Sequence, residues 1–201
     1  MLQLCYVRLP SFHFYVLEDA IKHFVIHVFY TFPFFFIPEE TITEKPIYQA
    51  FKAEGLLIPT PGNIIDYGFI EKFIEEFGER FEIAEIAFDR WNATQTSINL
   101  AAKNFQLLSF PQTISNMSPG TKELMTLVLS KRIHHGGNKV LRWNASNVTV
   151  EQNSSGDIKP SKKKSTQKID GIVALIMALD RAMRNIGTTS AYSERPMIFL
   201  D

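Results

Sequence analysis

The chain has 201 residues, enough for one domain with a real core and short for two. Apolar residues make up 45%, which excludes a disordered chain, and 21 basic against 21 acidic residues leave no net charge to draw it onto nucleic acid or a membrane, so any such affinity must come from local patches. One cysteine, Cys5, excludes an internal disulfide and a cysteine-based zinc site, and reads as a buried apolar residue in a reducing compartment.

The first forty residues read as strands. "FHFYVL" (12–17) and "HFVIHVFY" (23–30) flank Glu18, Asp19 and Ala20, which form a hairpin turn. The aromatic run 24–37 is shorter than the ~20 residues a bilayer needs and contains His27 and Pro33, so it predicts buried strands. The residues before it lack the pattern of a secretion signal, and the expected location is the cytoplasm, with no membrane partner.

Pro46 opens a short helix to about Glu54, with Gly55 just past its end. "LLIPTPG" is a brief strand and turn. Asp66 then caps a helix whose Phe69, Ile70, Phe73, Ile74 and Phe77 make one apolar stripe. Residues 83–88 predict a buried strand that stops on Asp89. A helix follows from Asn92 or Thr94 to about Lys103, and "FQLLSF" (105–110) is another strand. Ser118 and Pro119, as cap and first residue, predict a helix to about Arg132. A turn, a short helix and a strand fill 133–152, and the polar, basic 153–165 predicts an exposed loop or hairpin. The last strong element is a helix from about Lys168 to Arg184. Strands first, then helices alternating with strands, predict an α/β fold with a mixed central sheet and helices on its faces. Neither a G-x-x-x-x-G-K-[ST] loop nor a G-x-G-x-x-G loop is present, so nothing supports a nucleotide cradle.

Two acids carry the chemistry. Asp89 ends a buried strand, although acids are also common turn formers. Asp170 lies in the first turn of a helix that is apolar on nearly every side; an acid there also favours the helix dipole. Ligand sites of open α/β sheets gather where strands end. Two carboxylates facing each other repel unless a cation lies between them, and Mg²⁺ or Mn²⁺ suits such oxygens. With a third acid, two ions ~4 Å apart could activate water and stabilise the leaving oxygen of a phosphodiester. Lys162, Lys163 and Lys164, just before the Asp170 helix, suit phosphates, although a lysine run is more often a solvated surface. His134 and His135 stand without a Cys/His cluster, which argues against zinc.

The stretches "IAFDRWNATQ", "SNMSPGTKELMTLVLSKRIHHGGNKVLRWNASNVTV" and "GDIKPSKKKSTQKIDGIVALIMALDRA", with "FFFIPEETI…GLLIPTPGNIIDYGFI" upstream, together resemble the nuclease domain of tailed-phage terminase large subunits. The likeness runs in order over residues 24–185, leaving 1–23 as an atypical N-terminal segment and 186–201 as a loose tail. It implies a ribonuclease H-like fold and a metal-dependent endonuclease that cuts concatemeric viral DNA during packaging. In the family an acid at a central strand end and one on a late helix bind the metals; Asp89 and Asp170 match those positions. Trp91 and Asn92 match the turn after the strand, and His135 and Asn147 match recurrent positions without an assigned role. The resemblance also implies two Mg²⁺ or Mn²⁺ ions in the intact site, duplex DNA as substrate, and the terminase small subunit and portal protein as partners.

Two departures shape the expectation. The ATPase motor that precedes the nuclease in the family has no counterpart here. The family's first-strand acid is missing too, since residues 1–17 contain no Asp or Glu and Glu18 and Asp19 fall at the hairpin turn. The expected chain is thus a terminase nuclease impaired in cutting, truncated or decayed as in a prophage. The alternative is a non-catalytic remnant that keeps DNA or packaging-partner binding.

Overall fold

The computed structural model describes residues 35–81, 83–89, 94–133 and 135–185. The two early strands and the turn at Glu18 and Asp19 expected from the sequence fall outside them, as do the segments 1–23 and 186–201. The described elements are β1 (Phe36–Pro38), α1 (Glu39–Thr43), α2 (Pro46–Ala53), β2 (Ile58–Thr60), α3 (Tyr67–Gly78), β3 (Ile86–Phe88), α4 (Thr94–Ala102), β4 (Leu107–Ser109), α5 (Ile114–Leu129), α6 (Lys139–Asn147), β5 (Val150–Gln152), β6 (Ile158–Pro160) and α7 (Asp170–Asn185).

Local chemistry sets most of these boundaries. Pro46 is the first residue of α2, and Gly55 follows its end at φ +70°, a backbone conformation that costs glycine little. Asp66 caps α3 by accepting the Phe69 N–H at 3.1 Å. Residues 153–157 close the β5–β6 hairpin, where Asn153 Oδ1 accepts the N–H groups of Ser155 and Asp157. Helix α5 departs from expectation. It starts at Ile114, capped by Thr113, which accepts the Asn116 N–H at 3.3 Å, and Pro119 lies inside it. Ser118 does not cap the helix: its buried hydroxyl accepts the Ile158 N–H of β6 at 3.2 Å.

The strands pair in twos among the described residues. β1–β2 and β3–β4 are parallel, and β5–β6 is antiparallel. The mixture of parallel and antiparallel pairs fits the expected α/β class. Three apolar clusters hold the layers together. The largest joins α5, α6 and α7 to Ala87 of β3. A second collects Ile42, Tyr48, Phe51, Leu57 and Val140, and a third collects Ile70, Ile74, Ile86 and Leu100. Helix α7 is buried on nearly every side, from Ile172 through Ala182, as a helix sandwiched between layers must be. No helix among the described residues is long and apolar enough to cross a membrane.

Candidate active site

Asp89 follows β3 directly. Ile86 and Ala87 are fully buried, and the chain emerges to a half-buried Phe88 and Asp89. Asp170 is the first residue of α7, its side chain 16% exposed. Two asparagines of α6 build the start of α7. Asn144, 2% exposed, accepts the Gly171 N–H through Oδ1 at 2.8 Å. Asn147 donates from Nδ2 to the Lys168 carbonyl at 3.2 Å. The first satisfies an N–H that a helix start would otherwise leave open, and the second ties the segment just before that start to α6. Gly171 is required by closeness: a Cβ there would lie 2.8 Å from the Phe35 ring and 3.2 Å from Asn144 Oδ1.

Two contacts orient α7 against the strands. Arg181 pairs through two nitrogens with both oxygens of Glu85, just before β3, Nη2 lying 3.0 Å from Oε2. One helical turn earlier, Met177 Sδ lies 3.8 Å from Nε2 of Gln112, beyond the end of β4, which runs parallel to β3. The helix therefore runs opposite to β3. From Arg181 back to Asp170 is ~16 Å of helix, and from Glu85 on to Asp89 is ~13 Å of strand. Asp89 thus follows the strand end, and Asp170 opens the helix packed on that strand.

The electrostatics centre on Asp170. Lys162 Nζ lies 3.2 Å from its Oδ1. Tyr48, 4% exposed in the second cluster, has its hydroxyl pKa raised above 10.0, first by burial and then by the Asp170 charge. The three lysines ride a braced turn. Ser161 donates its N–H to the Thr149 carbonyl and accepts from Ser165 Oγ, each at 2.8 Å; Ser165 Oγ accepts the Thr149 N–H at 3.0 Å. Lys162 faces Asp170, whereas Lys164 acts on Glu151, whose pKa is lowered chiefly by a Ser161 hydrogen bond and less by Lys159 and Lys164.

Glu18, Asp19, Trp91, Asn92 and His134 lie outside the described residues. His135 Nδ1 is buried without a hydrogen-bond partner, in the loop before α6. Among the described residues no group of three or more His, Cys, Asp or Glu gathers as a metal site would. Of the two acids singled out by the sequence, Asp89 lies just past β3, and Asp170 opens α7 and faces the Lys162 ammonium. Hard oxygen donors of this number suit Mg²⁺ or Mn²⁺, which keep several waters. Sequence reasoning missed Asn144 and Tyr48. Neither carries a sequence signal, because each matters through a contact distant along the chain.

A family model for the endonuclease domain of terminase large subunits matches residues 36–185. The large subunit of the terminase of Enterobacteria phage HK97 is 35% identical over 158 residues, covering 75% of this chain and 31% of that protein. Protein YmfN of Escherichia coli K12 is 33% identical over 168 residues, covering 78% of this chain and 37% of that protein. The chain thus spans about a third of the length of these relatives. The crystal structure of the HK97 bacteriophage large terminase superposes with a TM-score of 0.68, over 75% of this chain and 33% of that one. The fold is the ribonuclease H-like fold of terminase nucleases. With the family model matched from β1 to the last residue of α7, the chain belongs to the endonuclease-domain family of phage terminase large subunits.

Proposed function

We propose that this chain is the divalent-metal-dependent DNA endonuclease part of a phage packaging terminase, with Asp89 and Asp170 as its metal-binding carboxylates. The observation that supports the reading is the packing of α7, which opens on Asp170, against β3, which Asp89 follows, through the Arg181–Glu85 pair. Bound between them, Mg²⁺ or Mn²⁺ would supply Lewis acidity and a water of lowered pKa near a phosphodiester. The chain's own residues do the rest. Asp89 and Asp170 hold negative charge in a half-buried place. Asn144 and Asn147 fix the start of α7 and so the direction of the Asp170 side chain. Lys163 and Lys164, exposed on the braced turn, give phosphates a positive approach. Duplex DNA is the proposed substrate, and the small terminase subunit and portal are the proposed partners in the host cytoplasm.

The test is incubation of the purified chain with supercoiled plasmid and Mn²⁺, beside Asp170→Asn. Expected is nicking that needs the metal and is lost in the variant. Nicking without metal, or unchanged in Asp170→Asn, overturns the assignment. An intact plasmid, from a chain with a cooperative unfolding transition, favours a remnant that binds DNA or a packaging partner without cutting; that result fits the shortage of acids among the described residues.

A further inference from the structure

The lysine run is not a uniform basic patch. Lys162 lies 3.2 Å from Asp170, and the two ends of the pair differ in burial: the Asp170 side chain is 16% exposed and that of Lys162 53%. The lysine therefore reaches inward from the surface to an acid that the fold holds still. Both ends are anchored. Asp170 is fixed by the α6 asparagines through Gly171 and Lys168, and the lysine turn is fixed by Ser161 and Ser165 against Thr149. Thr166 adds a further tie, its N–H meeting the Asn147 carbonyl at 3.4 Å. Two hydrogen-bonded supports thus hold the Lys162 ammonium beside the Asp170 carboxylate, and the flexible four-carbon stem allows the ammonium to swing outward.

A carboxylate oxygen that pairs with an ammonium has less charge to offer a second cation. We infer that Lys162 is a surrogate cation: it neutralises Asp170 before metal arrives and competes with the divalent ion for that carboxylate. The inference rests on the reading of Asp170 as a metal ligand. Displaced, the ammonium stays on the same exposed turn as Lys163 and Lys164, where it joins the positive approach offered to phosphate. Metal loading and phosphate attraction are then coupled through one side chain.

Calorimetric titration with Mn²⁺ alone tests this on the whole chain, comparing wild type with Lys162→Gln, Lys163→Gln and Asp170→Asn. Lys163 carries the same charge on the same turn and serves as the control for long-range charge. An exposed ion pair is weak, so Lys162→Gln is expected to bind Mn²⁺ roughly two- to fivefold more tightly than wild type. Lys163→Gln is expected to change affinity by less than that, and the Lys162→Gln gain should vanish when combined with Asp170→Asn. Unchanged or weaker binding in Lys162→Gln overturns the surrogate role while leaving the metal site standing. So does an equal gain in Lys163→Gln, because the effect is then one of general charge. Mn²⁺ binding that survives intact in Asp170→Asn, or is absent from wild type, removes Asp170 from the site and the surrogate role with it.

Discussion

Tyr48 reports on Asp170 from a distance. Its ring packs edge-on against Trp143, with centroids 6.0 Å apart, and it belongs to a buried cluster with Ile42, Phe51 and Leu57. Burial disfavours its phenolate, and the Asp170 charge disfavours it further, so its pKa lies above 10.0. The folded value is raised, so this group's stabilising contribution is complete below about pH 10, the unfolded value, and is lost as pH rises through the folded value. Asp170→Asn removes the second cause and leaves the first. The Tyr48 phenolate should then form at lower pH than in wild type yet still above 10.0, followed by ultraviolet absorbance with Tyr48→Phe identifying the signal. An unchanged titration would mean that the Asp170 carboxylate does not face the second cluster. At this scale the sequence marks two acids, one closing an apolar run and the other opening an apolar helix, and the structure puts them after β3 and at the start of α7. Asn144 was not: its partner Gly171 stands 27 residues away, and nothing local marks a buried asparagine as a support for another helix.

At the scale of elements, α5 and α7 cross closely at Gly120. A Cβ on Gly120 would lie 2.5 Å from the Ile176 carbonyl oxygen and 3.3 Å from Asp180 Cβ. The near neighbour is helix backbone, which cannot swing aside as a side chain can. Gly120→Ala should therefore lower stability by about 1–3 kcal/mol despite alanine's better helix propensity, because the helices must separate. Urea denaturation measures it; a gain in stability would show that the crossing has room to relax. The same crossing buries Asp180, which is 1% exposed and takes two bonds from Arg184 at 2.6 and 3.1 Å. This acid on α7 is committed to its own helix rather than to the end of β3. Element boundaries were legible where a cap or a proline acts locally, as at Pro46 and Asp66. The start of α5 was misread because Ser118 and Pro119 imitate a helix start. Thr113 supplies the real cap, and the Ser118 hydroxyl is used by a strand 40 residues away. That β3 and β4 pair in parallel, with α7 antiparallel to β3, also depends on distant partners and left no local trace.

On the scale of the whole molecule, the three clusters act as one structure only if something ties them together. β3 ties the third cluster to the largest through Ile86 and Ala87, and helix α6 ties the second to the largest. Val140 packs in the second cluster and its neighbour Leu141 in the largest, while Asn144 and Asn147 hold the start of α7. Damage in the second cluster should therefore reach Asp170. Leu57, 4% exposed beside Val140 in that cluster, lies just before β2 and has no direct part in the candidate site. Leu57→Ala should cost about 2–5 kcal/mol through lost burial and the cavity left behind. If α6 couples the clusters, the Gly171 amide, held by Asn144, loses hydrogen-exchange protection together with the amides of α2. If the clusters open independently, protection falls in α2 while Gly171 keeps its wild-type rate. The second result would make the region around Tyr48 a separate unit leaning on the nuclease core. The first would make the placement of Asp170 a property of the whole fold, sensitive to core substitutions well outside the candidate site.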